Sequence, residues 1–284
     1  MALTDTKEML LLAQNGGYAV GAFNTENLEI MQAVFEAAAE TQSPFILQTT
    51  PSMLNYATPE AFFGMTRGLS LNYRVPVALH LDHGNSFATA ARCLRAGYTS
   101  AMIDGSKRSF EENIALTSRV VEMCAPCGVP VEAELGKVGG KEDETQTDDP
   151  GYTDPAEAEE FCARTGISSL AVAIGTAHGF YKGKPQLDVE RLSEIHKRVS
   201  IPLVLHGASG LTDEDIQNCV NRGICKVNFA TELRNAYTEG VREALARNPS
   251  LYDPKEFGKA GREKVKQLVM QRMIVCGSAG KARA

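Results

Sequence analysis

Residues 80–86, His-Leu-Asp-His-Gly-Asn-Ser, place two histidines around one aspartate directly after the apolar run 75–79. Imidazole and carboxylate groups are the usual ligands of a catalytic zinc, and an aspartate beside a metal can also carry a proton. A packed strand that merely ends in polar residues would have the same letters. The segment therefore raises two questions: which histidine binds a metal, and what the aspartate does.

The elements around this segment repeat in a regular order. Short β-rich apolar runs alternate with helical patterns along almost the whole chain, which predicts parallel βαβ units and, with eight of them, a closed (β/α)8 barrel. A doubly wound open sheet is the second interpretation, but it usually has a glycine-rich fingerprint after its first strand, and residues 22–29 contain no glycine. The eight predicted strands are 18–24, 44–50, 75–82, 100–104, 129–135, 169–175, 201–207 and 224–230.

In such a barrel the chemistry lies at the carboxyl ends of the strands, and side chains alternate between the interior and the helices. Alternation through residues 75–82 turns His80 and Asp82 inward and leaves His83 at the start of the loop. The same alternation predicts further inward or strand-end side chains, namely Asp104, Glu132, Glu134, His178 and His206.

Several carboxylates near one barrel axis are unfavourable unless a cation compensates their charge. Neutral imidazoles and carboxylates together suit a divalent cation with one position open for substrate. We therefore predict a metal site at this end of the barrel. The residues alone do not decide between His80 and His83 as the ligand.

A phosphate site is predicted beside the metal. Residues 206–210, His-Gly-Ala-Ser-Gly, follow the seventh strand, and residues 228–231, Asn-Phe-Ala-Thr, end the eighth strand and open a helix. The loops after these two strands commonly bind phosphate in barrels, and a helix N-terminus favours an anion. Ser209 and Thr231 would add hydroxyl groups.

The chain of 284 residues suits one barrel domain, 1–284, without a linker. Residues 136–153 are expected to form a mobile active-site loop, because a polar loop of that length is usually functional. Residues 247–284 form a C-terminal tail with a helical pattern from about Lys255 to Met273.

Charge and composition limit the partners. The formal net charge of −6 does not favour a nucleic-acid partner, and no apolar run reaches the roughly 18–20 residues of a membrane span. The N-terminus lacks a basic region before its short apolar stretch, which argues against a signal peptide. Cys124 and Cys127 close a helical pattern and are interpreted as structural, so we expect a reducing cytoplasm. His196 is predicted to lie on a helix surface.

Seven stretches of the chain are YAVGAFN, HLDHG, MIDGS, EAELGKVGGKED, AVAIGTAHG, PLVLHGASG and KVNFATEL. In this order they resemble the class II, zinc-dependent ketose-bisphosphate aldolases, and within that group the tagatose- and fructose-1,6-bisphosphate aldolases. The likeness covers nearly the whole chain.

The resemblance implies roles for individual residues. His83, His178 and His206 would bind one zinc per subunit, and His80 would be a deeper supporting residue. Asp104 and Glu134 match positions where the metal can take an alternative location. Asp82 would handle the proton of the C4 hydroxyl, and Glu142, in the 136–153 loop, would move the C3 proton.

The resemblance also implies a binding site for the dihydroxyacetone-phosphate half of the substrate. Asn24 and Thr50 match polar strand-end positions that line the site. Backbone oxygens of Ala177, Gly179, Gly207 and Ser209 resemble the ligands of a monovalent cation, Na⁺ or K⁺. A homodimer or homotetramer is implied. The phosphate half comprises Gly179, Gly207, Ala208, Ser209, Asn228, Phe229, Ala230 and Thr231.

Two departures concern the distal half of the substrate. Many family members have Asp-Pro-Arg where residues 253–255 read Asp-Pro-Lys, so Lys255 takes the place of an arginine that contacts the C6 phosphate. A lysine binds phosphate as a point charge rather than as a bidentate fork, and Arg262 is a candidate to compensate. Many tagatose-type relatives have a histidine where this chain has Gly84.

The expected reaction is cleavage of a ketose 1,6-bisphosphate into dihydroxyacetone phosphate and glyceraldehyde 3-phosphate through a zinc-stabilised enediolate. A ketose 1-phosphate with a different distal group, such as a C6-sulfonate, is an alternative substrate. A Schiff-base aldolase using Lys226 is a second mechanism, because a buried lysine can become a nucleophile. A non-catalytic sugar-phosphate-binding subunit is the alternative outside enzymes.

Overall fold

The computed structural model of the chain describes residues 3–142, 145–147, 151–179, 181, 183 and 185–282, and the side chains of residues 141–142 and 145–147 lie outside that description. Eight parallel strands close into a barrel, which confirms the predicted fold. Numbered along the whole chain, they are β1 (Val20–Asn24), β2 (Phe45–Thr49), β3 (Val77–Gly84), β4 (Ser100–Ile103), β5 (Val131–Leu135), β8 (Ser169–Val172), β10 (Leu203–Leu205) and β11 (Ile224–Phe229).

Helices follow the barrel strands, and two of the described helices begin with a capping box. Ser109 forms a capping box with Glu112, and Thr212 forms one with Asp215, so each pair satisfies backbone N–H groups at a helix start. The helices are α1 (Thr6–Gly16), α2 (Leu28–Thr41), α3 (Pro51–Tyr56), α4 (Pro59–Ser70), α5 (Phe87–Ala96), α6 (Phe110–Cys124), α7 (Pro155–Thr165), α8 (Val189–Arg198), α9 (Asp213–Asn221), α10 (Thr231–Arg247) and α11 (Pro254–Val275).

The predicted alternation along β3 is confirmed. Leu79 and Leu81 pack in the large core between barrel and helices, whereas Ala78 lies in a second cluster inside the barrel. That inner cluster includes Met9 and Leu10 of α1, so the N-terminal helix closes the amino-terminal end of the barrel. Apolar side chains of this cluster pack beside a few buried polar groups, including Thr6 of α1 and Ser100 of β4, which contact each other.

The segment after β5 differs from the plain loop that was predicted. Its described part contains β6 (Gly139–Glu142) and β7 (Thr145–Thr147), which pair antiparallel, and β6 also pairs with the short strand β9 (Ala177–His178). This small sheet connects the segment to a predicted metal ligand, because Gly140 lies opposite His178 in the β6–β9 ladder.

The C-terminal tail forms α11, close to the predicted range, and packs against α10 and α2. Its apolar face buries Val265, Val269 and Met273, each of which contributes about 1.5–3 kcal/mol relative to an exposed side chain. No helix among the described residues is long and apolar enough to cross a membrane.

Two predictions about positions relative to helices are confirmed. Cys124 ends α6, a short 3-10 helix (Ala125–Cys127) follows, and both thiols are free. His196 lies exposed on α8.

Candidate active site

A pocket opens at the carboxyl end of the barrel, where the sequence predicts the chemistry. One side is lined by Asn24, Asp82, His83 and His178. The other side is lined by Gly179, Gly207, Ser209, Asn228, Ala230 and Thr231.

Asp82 and His83 both face this pocket although they are consecutive in one strand. The register between β3 and β4 shifts between Leu81 and Gly84, and His83 has a φ of 48°. A bulge of this kind redirects a side chain, and a non-glycine residue in the left-handed region costs about 1–3 kcal/mol. Strand alternation alone places His83 in a loop, whereas β3 runs through it to Gly84.

Gly84 has its own structural reason. A Cβ atom at this position would lie 2.3 Å from the carbonyl oxygen of Met102, which is backbone and cannot move aside easily. The missing side chain lets the end of β3 lie close to β4, where the Asp104 N–H donates to the Gly84 oxygen at 2.9 Å. The departure from His-Leu-Asp-His-His therefore accompanies a close approach of two strands beside His83.

Three histidines converge above the strands. Nε2 of His83 lies 3.0 Å from Nδ1 of His206, and the His83 and His178 rings meet edge to face with centroids 4.9 Å apart. One ligand nitrogen from each of the three lies within 4.8 Å of those from the other two. His80 lies deeper: it is fully buried and belongs to neither possible metal group among the described residues.

The charges around the histidines suit a cation. Burial alone would lower the pKa of His83, but Asp82, Asp104 and Glu134 hold it well above its ordinary value. Burial and the charge of His83 hold the pKa values of His178 and His206 well below theirs, so both are neutral imidazoles. The carboxylates around His83 thus favour a positive charge at this point, which a divalent cation held by three imidazoles would also supply.

Asp104 and Glu134 form a second possible metal group with His83, as the resemblance implies. Asp104 Oδ2 lies 3.1 Å from His83 Nδ1, which directs Nε2 of His83 toward His206. Oε2 of Glu134 is buried and has no hydrogen-bond partner among the described residues. Burial, followed by the charge of Asp104, raises the pKa of Glu134 to about 8. Oε2 of Glu134 lies 3.5 Å from Nδ1 of His206 and 4.0 Å from Nδ1 of His83, and a buried oxygen without a hydrogen bond in the described part of the chain, placed between two imidazoles, also fits a metal.

Asp82 is held by three amide groups. The side chains of Asn24 and Gln48 donate to its Oδ2 at 3.1 and 3.2 Å, and Asn228 donates to its Oδ1 at 3.1 Å. Burial would raise the pKa of Asp82, but positive charge at His83 together with these contacts keeps it below its ordinary value. The carboxylate is therefore ionised and oriented next to His83. Gln48 was not predicted, although it lies on β2 one strand away.

The predicted phosphate cradle forms between two loops and a helix start. Oγ of Ser209 accepts from the Ala230 N–H at 3.3 Å and so connects the loop after β10 to the loop after β11. The helix α10 starts at Thr231, and its N-cap residue Ala230 has no polar side chain to cap it. First-turn N–H groups without a side-chain cap favour an anion at this point.

Tyr181, which was not predicted as a site residue, connects this cradle to the segments that carry two of the histidines. Its hydroxyl donates to the Gly207 oxygen at 2.6 Å and accepts from the Ala177 N–H at 2.9 Å. Ala177 precedes His178 and Gly207 follows His206, so one hydroxyl joins the backbones next to two predicted ligands. Burial raises the pKa of Tyr181 to about 12, which keeps the hydroxyl protonated. No spacing in the sequence indicates this contact.

The remaining predicted residues lie elsewhere. The described lining of the pocket does not include Thr50, Ala208, Phe229, Lys255 or Arg262. Ala208 and Phe229 are buried in the core, and Thr50 lies at the N-cap position of α3.

The two distal cations are engaged with carboxylates. Lys255 contacts Asp253 at 2.8 Å on the surface, and Arg262 pairs with Glu36 and also donates to Gln32. The backbone of Glu142 lies in β6, and its side chain is outside the described residues.

The fold and comparisons with known proteins define an aldolase, a lyase that cleaves carbon–carbon bonds. The chain belongs to the class-II fructose-bisphosphate aldolase family, whose sequence profile matches residues 4–281. Aldolases of this class generally depend on zinc.

Two solved structures illustrate the likeness. The YdjI aldolase from Escherichia coli K12 has 37% identity and a TM-score of 0.88, with 99% of this chain and 100% of that chain covered. The fructose-bisphosphate aldolase (Fba) from Campylobacter jejuni has 25% identity and a TM-score of 0.85, with 99% of this chain and 97% of that chain covered.

Proposed function

We propose that this aldolase reversibly cleaves a ketose 1,6-bisphosphate, tagatose- or fructose-1,6-bisphosphate, into dihydroxyacetone phosphate and glyceraldehyde 3-phosphate. The observation that carries the proposal is the convergence of His83, His178 and His206 beside the amide-held Asp82. The start of α10 lies in the same pocket and suits the phosphate of the three-carbon half.

His83, His178 and His206 would hold one zinc per subunit, and Asp104 with Glu134 would supply an alternative position beside His83. When bound, zinc acts as a Lewis acid that polarises the C2 carbonyl and stabilises the negative charge of the enediolate.

Asp82 carries the proton that leaves the C4 hydroxyl. As the C3–C4 bond breaks, its electron pair stays with C3, the C4 oxygen becomes the aldehyde oxygen, and the hydroxyl proton passes to Asp82. Asn24, Gln48 and Asn228 keep the carboxylate ionised and aimed before this step.

Glu142 would return a proton to C3 and complete dihydroxyacetone phosphate. The support for this role is the pairing of its strand β6 with β9, which ends at His178. Closure of the 136–153 segment over the substrate would exclude water during proton transfer.

Gly179, Gly207, Ser209 and Thr231 would bind the C1 phosphate through backbone N–H groups and hydroxyls. A Cβ atom at Gly207 would lie 2.7 Å from the Ala177 oxygen, so glycine is required where the two loops meet. A monovalent cation, a homodimeric or homotetrameric assembly and a cytoplasmic location belong to the proposal as well.

The metal mechanism is favoured over a Schiff base on Lys226. The Lys226 side chain is fully buried, its Nζ lies 2.8 Å from Oε2 of Glu132, and it is absent from the described lining of the pocket. A fully buried amine that contacts a carboxylate and lies outside the pocket lining is not placed to attack a substrate carbonyl.

A ketose 1-phosphate with another distal group, such as the C6-sulfonate sulfofructose 1-phosphate, is the second candidate substrate. The observation that favours it is the engagement of Lys255 with Asp253 and of Arg262 with Glu36. Within one subunit, neither cation is directed at the pocket by these contacts.

The test is a cleavage assay coupled to reduction of dihydroxyacetone phosphate, with zinc measured in the same preparation. The panel comprises both 1,6-bisphosphates, the C6-sulfonate and simple ketose 1-phosphates. We expect one zinc per chain, activity on at least one member, and loss of activity in EDTA that added zinc reverses. Full activity in EDTA together with borohydride trapping of a substrate adduct contradicts the metal mechanism. No release from any member contradicts the proposed three-carbon half.

A further inference from the structure

A buried ion pair lies directly below the three histidines and has no part in the proposed reaction. Nζ of Lys226 on β11 contacts Oε2 of Glu132 on β5 at 2.8 Å, and the two side chains are 0% and 2% exposed. Two buried charges are costly to desolvate, so such a pair needs further hydrogen bonds to be tolerated.

The lysine is anchored from below. Its Nζ lies 3.4 Å from Nε2 of His80, whose Nδ1 lies 2.8 Å from Oγ of Ser100. Ser100 in turn contacts Oγ1 of Thr6 on α1 at 2.7 Å. This column of contacts crosses the barrel interior and holds the ammonium group against Glu132.

The other oxygen of the carboxylate reaches a predicted ligand. Oε1 of Glu132 lies 2.9 Å from Nε2 of His206. Because the carboxylate accepts from Lys226 through Oε2, we assign its Oε1 as the acceptor of a proton on Nε2 of His206. A metal-binding imidazole carries no second proton. Nδ1 of His206 is then unprotonated and points toward Nε2 of His83, 3.0 Å away.

We propose that Lys226 and Glu132 form a positioning pair that sets the tautomer of His206, so that its Nδ1 lone pair is available to the metal. Lys226 acts through residue 132, whose side chain lies between Lys226 and His206. The ammonium group can only donate, so residue 132 must turn a hydrogen-bond acceptor toward it. The proposal rests on the proposed function, in which His206 is a metal ligand. Hydrogen-bonded carboxylates next to metal-binding histidines commonly strengthen metal binding.

The proposal predicts how the amide of the near-isosteric variant Glu132→Gln must be oriented. The ammonium of Lys226 has only donors, so the new amide presents its oxygen to Lys226 and its NH₂ group to His206. Nε2 of His206 must then accept, its proton moves to Nδ1, and that proton faces the metal position. Replacing Lys226 by methionine as well frees the amide to turn its oxygen toward His206.

The experiment compares the wild type, E132Q and the double variant E132Q/K226M by zinc competition with a chromophoric chelator. We expect E132Q to bind zinc about 10–100-fold more weakly. We expect the double variant to return to within about threefold of the wild type, since its amide oxygen can accept from Nε2. E36Q removes a carboxylate from the Arg262 ion pair on the outside of the barrel and should leave zinc affinity unchanged.

Nitrogen NMR of histidine-labelled, metal-free protein gives a second readout. The wild type and the double variant should carry the His206 proton on Nε2, and E132Q should carry it on Nδ1. Thermal unfolding in chelator verifies that each variant is folded. If E132Q alone does not fold, the zinc affinity of the double variant is compared directly with that of the wild type. A value within about threefold then supports the proposal, and a weaker affinity contradicts it.

Two results overturn the positioning role. One is a zinc affinity of E132Q within threefold of the wild type. The other is a folded double variant that binds zinc no better than E132Q, which is what a packing role predicts because two core changes then add. A wild type that binds no zinc defeats the proposed function instead, and the NMR readout still decides the tautomer.

Discussion

Two parts of the molecule would meet the two ends of the substrate, and they are built differently. The near region consists of the three histidines, Asp82 and the cradle loops. Its side chains come from strand ends of the barrel and the loops that follow them, with His178 on the small sheet formed by β6, β7 and β9. The distal region consists of Lys255 and Arg262, which are long side chains on α11, beyond the barrel.

The two regions differ in how firmly the backbone fixes the positions of their functional side chains. Strand ends are fixed by the hydrogen bonds of their neighbours, so short side chains on them converge without large entropic cost. Long cationic side chains on a surface helix choose among nearby partners, and here each contacts an acid. Variants in the near region should therefore change catalysis, whereas variants in the distal region should change preference or stability.

The largest expected effect follows from removing a ligand in the near region. His178→Ala should lose stoichiometric zinc and reduce cleavage to background, because two imidazoles and an open position hold zinc poorly. Metal analysis and the coupled assay on the same preparation measure both quantities. His196→Ala, on the exposed face of α8, is the matched control. Full zinc content with full activity in H178A contradicts the predicted ligand set.

Asp82→Ala should lower kcat by about 10²–10⁴-fold while zinc stays bound, because general acid–base catalysis typically contributes that factor. Asp5→Ala, which removes the N-cap of α1 at the opposite end of the barrel, controls for loss of a carboxylate. Cleavage by D82A at the wild-type rate would show that another group carries the C4 proton.

Tyr181→Phe should raise the KM for the sugar phosphate by about 2–12-fold, because removing a hydroxyl that joins two backbones costs about 0.5–1.5 kcal/mol. The unfolding temperature should change little. Tyr98→Phe removes the buried hydroxyl contact to Thr49 at 2.8 Å, away from the cradle, and should affect stability rather than KM. Equal KM values for the wild type and Y181F would show that the Tyr181 hydroxyl does not contribute to substrate binding in the cradle.

The smallest effects are expected in the distal region. Lys255→Met should lower kcat/KM for a 1,6-bisphosphate by about fivefold or less and leave ketose 1-phosphates unaffected, as an exposed point charge contributes at most about 1 kcal/mol. Arg262→Met should lower the unfolding temperature by releasing Glu36 without changing the preference between the two substrates. A tenfold loss of bisphosphate preference in R262M would place that arginine at the distal phosphate.

Much of the fold was predictable because it depends on local periodicity. Eight apolar runs between helical patterns indicated eight strands, and all eight lie in the barrel. The inward directions of His80, Glu132 and His206 followed from alternation, since side chains along a strand have a period of two. Residues 136–153 were less predictable, because the pairing of β6 with β9 depends on a strand more than 30 residues away along the chain.

The amino-acid sequence alone was therefore enough to predict the barrel, the end of the barrel where polar side chains gather and the residue types found there. Those properties follow from periodicity and from the order of elements along the chain. The turn of His83 toward the pocket beside Asp82 depends on the β3 bulge and could not be inferred from strand alternation. The packed fold also brings the Tyr181 hydroxyl between two loops, Glu132 into contact with His206, and Arg262 into a pair with Glu36. These contacts join residues that are distant in the chain, and their geometry depends on how strands and helices pack rather than on any local pattern.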